Sequence, residues 1–559
     1  MEKFAFEAIR RILGDFGGRF YEKICGLGEI RKIICDFINA PHFKRTLLWG
    51  VALYLIALFA LLRGDIYYAD DLNRAVSDYG GDYYNRYFTE FILTKVLTFG
   101  KGTMDISPLP QILGVIFIVI SAMILLYLIR KKFDFIGVLA SLPLGLSPHF
   151  LQNLSYKFDS VTMGIALFLA VLPFLFFAQR RVFCAVSVVC LILMFMTYQA
   201  ANATYIILSL YFALFLHADF KQGARFLGVC ALNLIIASLL YKLTINPAGA
   251  SDRAFAIDML FAGILQNLLT YFATIFSDLK NTPFIYLIAL NCALFAINAM
   301  LCKGRRIYAF FRAILFLALG FCASYGLYAV LEMPLFHPRA YYGLNALIAV
   351  ICIANISQFA ESAESNAKSV ADSAESGADS TKSGADSIAE SAESNADSTA
   401  ESTAESTTDS TKLSKILRPL SFASIAITAY FLISFANIYG NALKKQDEYL
   451  SFRAEMLLQY LGEKIPRGAS VVIDIGAMGN AVVTQRFYDK YGDARIIPRL
   501  SSRGDFWFEM KLRHLGVKHN FGDAEICDML KAQFGSEVVA QNAHHTIEKA
   551  KACYFVTMH

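Results

Sequence analysis

Leu109-Pro-Gln-Ile-Leu-Gly-Val-Ile-Phe-Ile-Val-Ile-Ser-Ala-Met-Ile-Leu-Leu-Tyr-Leu-Ile-Arg-Lys-Lys132 decides the fold class. No residue from 109 to 129 carries a charge, and three cations then follow at once, Arg130, Lys131 and Lys132. About 20 predominantly apolar residues are what a helix needs to cross the hydrocarbon core of a bilayer, and a basic cluster beside such a run marks its cytoplasmic end.

Runs of the same kind recur on both sides of it, at 46–63, 135–151, 160–178, 182–198, 200–217, 226–244, 283–301, 308–331, 340–356 and 416–437. Together they predict an α-helical polytopic membrane protein with about eleven spans. With a cytoplasmic N-terminus, the remaining basic clusters (Arg180/Arg181, Lys221/Arg225, Lys303/Arg305/Arg306 and Lys412/Lys415/Arg418) all fall on the same side as Arg130. The stretch 259–277 is apolar enough to be a further crossing. It carries Gln266 and Asn267 in its middle and is fenced by Asp258 and Asp278, and counting it would throw Lys303–Arg306 to the outer face. It is therefore read as an interfacial or re-entrant helix.

The composition agrees with the spans. Hydrophobic residues make up 56% of the chain and charged ones 17%, too little polar material to clothe a soluble body of this length. The net charge of +5 is scattered, so no nucleic-acid footprint is present. Six cysteines (Cys184, Cys190, Cys230, Cys292, Cys322 and Cys352) sit in apolar runs and read as small buried hydrophobes; Cys527 and Cys553 stand in a segment where a disulfide is permitted.

The chain divides into a cytoplasmic N-terminal segment (1–45), a transmembrane domain (46–356), an acidic low-complexity linker (357–415), a last transmembrane helix (416–437) and a small extracytoplasmic α/β domain (438–559). The linker, built of Ala-Glu-Ser and Ala-Asp-Ser tetrads, has too little apolar surface to fold. In the last domain Ser470–Gly476 and Ala494–Pro498 read as strands, and 506–516 and 523–534 as helices. The turn Asp474-Ile-Gly-Ala-Met-Gly479 does not complete the spacing of a nucleotide-binding loop. In the first outer loop, 84–99 reads as an amphipathic surface helix whose apolar face is Tyr84, Tyr87, Phe88, Phe91, Leu93 and Val96.

Charged and polar residues gather on the outer side. The first loop opens with Tyr68-Ala-Asp70-Asp71-Leu-Asn-Arg74, and adjacent carboxylates push their pKa values apart, which can leave one poised as a base. Facing them are Arg86, Asp105, Asn153, Tyr156, Lys157, Asp159, Gln199, Arg253, His337 and Arg339. Lys157, Arg253 and Arg339 are of the right type to neutralise a phosphate, or equally to meet membrane lipids.

Several of these segments, taken in order, resemble the bacterial glucosyltransferase GtrII family, polytopic enzymes that decorate O-antigen and related surface glycans. Asp70-Asp-Leu-Asn-Arg74 is similar to its Asp-Asp-x-x-Arg loop, and Asp105-Ile-Ser-Pro-Leu109 to its Asp-x-x-Pro-Leu stretch. Asn153-Leu-Ser-Tyr-Lys-Phe-Asp159 looks like its most distinctive motif, and Tyr198-Gln199 and Pro338-Arg339 match later landmarks. The likeness covers 45–355 and departs at Asn85, where the family has glycine before Arg86, with no proline following.

The resemblance implies a GT-C-like fold in the bacterial inner membrane with the C-terminal domain periplasmic. It also implies a polyprenyl-phosphate-linked sugar donor, glucose above all, and a surface glycan such as lipid-linked O-antigen as acceptor. Asp70 or Asp71 would be the base, Arg74 and Asp159 would shape the pocket, and Lys157, Arg253 and Arg339 would hold the phosphate. The same likeness makes Arg86, Asp105, Asn153, Tyr156, Gln199 and His337 substrate-binding candidates. No cofactor is expected; a divalent metal on these acids stays open, although His149 and His337 stand isolated. The rival readings are a flippase or transporter of lipid-linked saccharides, whose charges would lie near the midplane, and an O-antigen ligase or polymerase.

Overall fold

The computed structural model describes residues 27–77, 86–217, 219–245, 254–300, 306–357, 397–466, 468–492, 495–498, 503–522 and 524–559. All eleven apolar stretches are helical over most of their described length, as backbone surrounded by lipid must be. Among the described residues six helices have the length and apolarity to cross a membrane: Leu109–Arg130, Gln199–Leu216, Phe220–Thr244, Leu260–Leu279, Arg306–Ala323 and Lys415–Leu461. A bent pair, Phe135–Leu146 with Pro148–Ser155, makes a seventh, while Ser160–Phe176, Phe284–Ala299 and Tyr342–Ser357 are apolar but shorter. Helix length alone therefore supports fewer crossings than the eleven read from hydropathy.

Two features of this bundle carry the site. The helices Leu109–Leu125 and Ser160–Val171 meet backbone to backbone, because a Cβ on Gly114 would lie 2.7 Å from the Ser160 carbonyl oxygen and one on Gly164 would lie 2.6 Å from that of Gly114. Small residues at a crossing allow this approach in lipid, where dispersion rather than water drives packing. The second feature is the 69° bend at Ser147-Pro148. Proline cannot donate the next helical hydrogen bond, and the Ser147 hydroxyl accepts from Phe150 N–H instead, opening a new helix in a new direction. That helix delivers Asn153, Tyr156, Lys157 and Asp159 to one end of the bundle.

The Leu260–Leu279 helix, read from the sequence as interfacial, is long and apolar enough to span. Phe255 N–H donates to the Val330 carbonyl just before it, Asn267 donates to the Ala329 and Leu331 carbonyls from its middle, and Asp278 at its end meets Arg495, which also binds the Phe336 carbonyl. Phe255 before it, Asn267 in its middle and, through Arg495, Asp278 at its end thus connect it to the 324–341 segment.

A ladder of amides joins the helices within the bundle: Asn298 donates to Asn355 and Ser421, Asn291 to Thr428, and Asn355 to the Asn291 carbonyl. These groups are neutral, and their bonds to Ser421 and Thr428 hold the last long helix in place. That helix runs Asp397–Leu461 without interruption, so it begins inside the segment read as an unstructured linker and ends well past 437. Alanine and glutamate favour helix even where nothing is buried. At about 1.5 Å per residue the part from Lys415 to Leu461 is roughly 70 Å long, more than twice the hydrocarbon thickness, and its far end projects as a stalk.

On the stalk sits a five-stranded sheet of order β2-β1-β5-β4-β3, with β1 Ser470–Asp474, β2 Asn520–Phe521, β3 Glu537–Gln541, β4 His545–Ala550 and β5 Cys553–Met558. β1 runs parallel to β2 and β5, and β4 antiparallel to β3 and β5. Leu457 and Leu461 of the stalk share a core with Val471, Ile473, Phe508 and Val556. A Cys527–Cys553 disulfide ties the Ala524–Phe534 helix to β5. Of the stretch read as a strand at 494–498, the described Arg495–Pro498 is no strand but a strap whose Ile496 and Ile497 are buried in the core of the membrane bundle. Their apolarity served another packing partner. The loop helix also differs, since Tyr84 and Asn85 lie outside the described residues and Phe91–Leu97 is a π-helix. The wider turn rotates its faces, so Ile92 and Leu93 pack against Val161 while Phe91 and Val96 face outward.

Candidate active site

Asp70 and Asp71 open the Asp70–Ser77 helix, just after Ala69 in the left-handed region at φ 46°. Consecutive residues on a helix point about 100° apart, so the two acids cannot share a task. Asp71 turns inward and is 1% exposed. Its Oδ2 accepts backbone N–H groups of Tyr68 at 3.0 Å and Lys157 at 2.8 Å, and its Oδ1 accepts that of Phe158 at 3.4 Å. Burial pushes its carboxyl up to about 8 against these donors. Asp71 is the clip that fastens the first outer loop to the 156–159 turn.

Asp70 turns outward, with 45% of its side chain exposed and Arg339 Nη1 3.7 Å from its Oδ2. Arg86 and Arg74 act on the same carboxylate. Burial and the nearby Asp159 outweigh these cations and raise the Asp70 carboxyl above the ordinary range. Arg74 pairs with Asp159 at 3.1 Å, and both side chains are largely buried. Its Nη1, the Asn153 Nδ2 and the Tyr198 hydroxyl are buried with no hydrogen-bond partner, three polar groups left for something else to satisfy. Arg339 also donates to the Tyr156 hydroxyl, and the Arg86 guanidinium lies 4.9 Å from the centre of the Tyr198 ring.

Lys157 plays a different part from the phosphate role read for it. Its ammonium is 2% exposed, 2.7 Å from Asp65 and 3.0 Å from Asp105, and 4.0 Å above the Tyr67 ring. Asp105 also accepts from Tyr67 at 2.7 Å and from Ser107 N–H at 2.9 Å. Burial pushes the Asp105 carboxyl up, but the bonds from Ser107, Tyr67 and Lys157 together hold it below its usual value. Lys157 and Asp105 therefore brace the loop beside the pocket.

Of the other residues singled out, Asn153 lies fully buried and accepts from Tyr342, while Gln199 donates to Tyr241. His337 stands beside the pocket; partial desolvation, then Arg339 and Arg495, push its imidazole down to about 4, so it is neutral near pH 7. Arg253 lies outside the described residues. Among the described residues no group of three His, Cys, Asp or Glu side chains is placed to hold a metal ion. Tyr68, Gln152 and Tyr198 also reach this cluster and are not among the site candidates read from the sequence; their partners Ile496, Arg339 and Arg86 are far away in sequence, so no local signal marks them.

Fold and site together define a polytopic membrane protein with a cluster of acids and guanidinium groups at one end of its helical bundle. The family model for glucosyl transferase GtrII matches residues 59–350, more than half of the chain, and the chain belongs to that family. It is 26% identical over 253 residues to an uncharacterized 55.3 kDa protein in the gtrB 5′ region of Salmonella phage P22, an alignment covering 41% of this chain. The match spans 50% of that relative's length. No solved structure matches.

Proposed function

We propose that the chain transfers a glucosyl group from a polyprenyl-phosphate carrier to a surface glycan such as lipid-linked O-antigen, at the periplasmic face of the bacterial inner membrane, with Asp70 as the base. Membership of the glucosyl transferase family supports the sugar and the reaction class. The observation that carries the residue assignment is the division of labour between the adjacent acids: Asp71 is consumed by three backbone donors, whereas Asp70 is open and ringed by Arg339, Arg86 and Arg74.

The chemistry fits this arrangement. Asp70 removes the proton from an acceptor hydroxyl, and that oxygen bonds to the anomeric carbon from the side opposite the carrier. The bond from this carbon to the phosphate oxygen breaks with inversion, and the lipid phosphate leaves with the electron pair. A base with a raised pKa suits proton abstraction near neutrality. The guanidinium groups stabilise charge gathering on the departing phosphate. A lipid phosphate is already an activated leaving group, so no nucleotide-binding fold is needed. A flippase is less well supported, because the ladder of Asn291, Asn298 and Asn355 between the described helices is built of neutral amides rather than charges.

The test supplies membranes containing the protein with radiolabelled polyprenyl-phosphate-glucose or with radiolabelled uridine diphosphate glucose. Label entering glycan from the lipid donor alone supports the reading, and transfer from the nucleotide sugar without a lipid intermediate contradicts it. Reporter fusions at 380 and 480 check the orientation, with the first expected in the cytoplasm and the second outside.

A further inference from the structure

A second buried ionic cluster forms where Arg495 of the C-terminal domain, beyond the segment shared with the family, meets Asp278 and His149 of the bundle. Arg495 donates from Nε to Asp278 Oδ1 at 2.9 Å and from Nη2 to Asp278 Oδ2 at 2.8 Å, a two-pronged pair. The same guanidinium reaches the Tyr341 hydroxyl at 3.1 Å and the Phe336 carbonyl. His149 Nε2 lies 3.2 Å from Asp278 Oδ2 on the other side, and both of those side chains are 1% exposed. Arg495 adopts φ 52°, a left-handed conformation that a non-glycine residue holds only when its surroundings demand it.

The next residue connects this clasp to the pocket. The Ile496 carbonyl accepts from the Tyr68 hydroxyl at 2.5 Å and from the Tyr439 hydroxyl at 3.2 Å. Gln152 Nε2 donates to the Tyr68 oxygen at 3.0 Å, and Gln152 Oε1 accepts the backbone N–H of Arg339 at 2.7 Å. An unbroken file of hydrogen bonds therefore runs from the C-terminal domain to the backbone of the cation that faces Asp70. Tyr68 is two residues before Asp70, and its own N–H binds Asp71. The strap touches both sides of the Asp70–Arg339 pair through one carbonyl.

We infer that Arg495 and Ile496 are positioning residues: the C-terminal domain sets the Asp70–Arg339 geometry through the file Ile496–Tyr68–Gln152–Arg339, and so forms a working part of the transfer pocket rather than a passive cap. This inference rests on the reading of Asp70 as the base. The groups facing Asp70 are Arg339, Asp159, Arg86 and Arg74, and of these only Arg339 is held by the file. Loosening the file withdraws a cation from Asp70 and leaves the others in place, so the acid limb of the rate profile moves to higher pH.

The test uses full-length Tyr68→Phe and Arg495→Ala, assayed for transfer from polyprenyl-phosphate-glucose. Tyr68→Phe removes the hydroxyl link and leaves the clasp intact. Displacing a reacting group by about 1 Å can cost on the order of a hundredfold in rate. The expected result is a kcat lower by about ten- to a hundredfold in both variants, a donor KM changed less than kcat, and an acid limb displaced upward in Tyr68→Phe while its melting temperature stays near wild type. A wild-type kcat and acid limb in Tyr68→Phe overturns the inference, whatever Arg495→Ala does. If Asp70→Asn retains full activity the reading of the pocket itself fails; if it is inactive while Tyr68→Phe behaves as wild type, only the positioning role fails.

Discussion

Two aspartates meet arginines at the same end of the bundle, and they are held in opposite ways. Asp278 is 1% exposed and gripped by both prongs of Arg495 with His149 behind it, whereas Asp70 has 45% of its side chain open and stands 3.7 Å from Arg339. A fully satisfied buried pair fixes two parts of a molecule together and leaves nothing over for chemistry. A loosely partnered carboxylate, beside an arginine nitrogen and a tyrosine hydroxyl without partners, is a site still waiting for its contacts. The contrast separates a joint from a pocket without any appeal to residue type.

That contrast can be broken by substitution, most forcefully at the joint. Asp278→Asn leaves the Arg495 charge facing a neutral amide, and removing one partner of a buried pair costs about 3–5 kcal/mol. A fall of that size in unfolding free energy is expected by chemical denaturation, with the C-terminal domain becoming the part most readily cleaved by protease. Asp71→Asn comes next. An amide nitrogen in place of one carboxylate oxygen strands backbone donors of Tyr68, Lys157 or Phe158, a loss of about 1–3 kcal/mol.

Asp71 also leaves a mark on the pH dependence of stability. A carboxyl whose folded pKa is raised to about 8 contributes stability that is fully present below the unfolded value and lost as pH rises through 8. Melting temperature in the wild type should therefore decline between the two, and Asp71→Asn should flatten that decline. The smallest effect belongs to Asp105→Asn, which leaves Lys157 to the exposed Asp65; about 0.5–1 kcal/mol is expected in a thermal melt. A larger loss there would move Lys157 and Asp105 from bracing into the pocket itself.

Much of the fold could be read because its determinants are local. The charge-free run 109–129 specifies a span within one window of sequence. Asp70, Arg74, Asp159 and Arg339, grouped in the sequence by the family resemblance, form the neighbouring pairs Arg74–Asp159 and Asp70–Arg339. What stayed illegible depended on distant partners. Nothing local to Asp70-Asp71 tells which acid will meet the N–H groups of Lys157 and Phe158, which lie 86 and 87 residues away. Ile496 and Ile497 look like strand residues because burial in a bundle and burial in a sheet demand the same side chains. Asp278 reads as the charged fence of an apolar helix until Arg495, 217 residues later, is seen against it.

The most direct measurement compares purified Asp70→Asn and Asp71→Asn for transfer of radiolabelled glucose from polyprenyl phosphate, each beside its thermal melt. Loss of a general base costs roughly 10²- to 10⁴-fold in rate. The account predicts a loss in that range for Asp70→Asn with an unchanged melt, and for Asp71→Asn a lowered melt with activity retained in whatever fraction stays folded. Full activity in folded Asp70→Asn would contradict it.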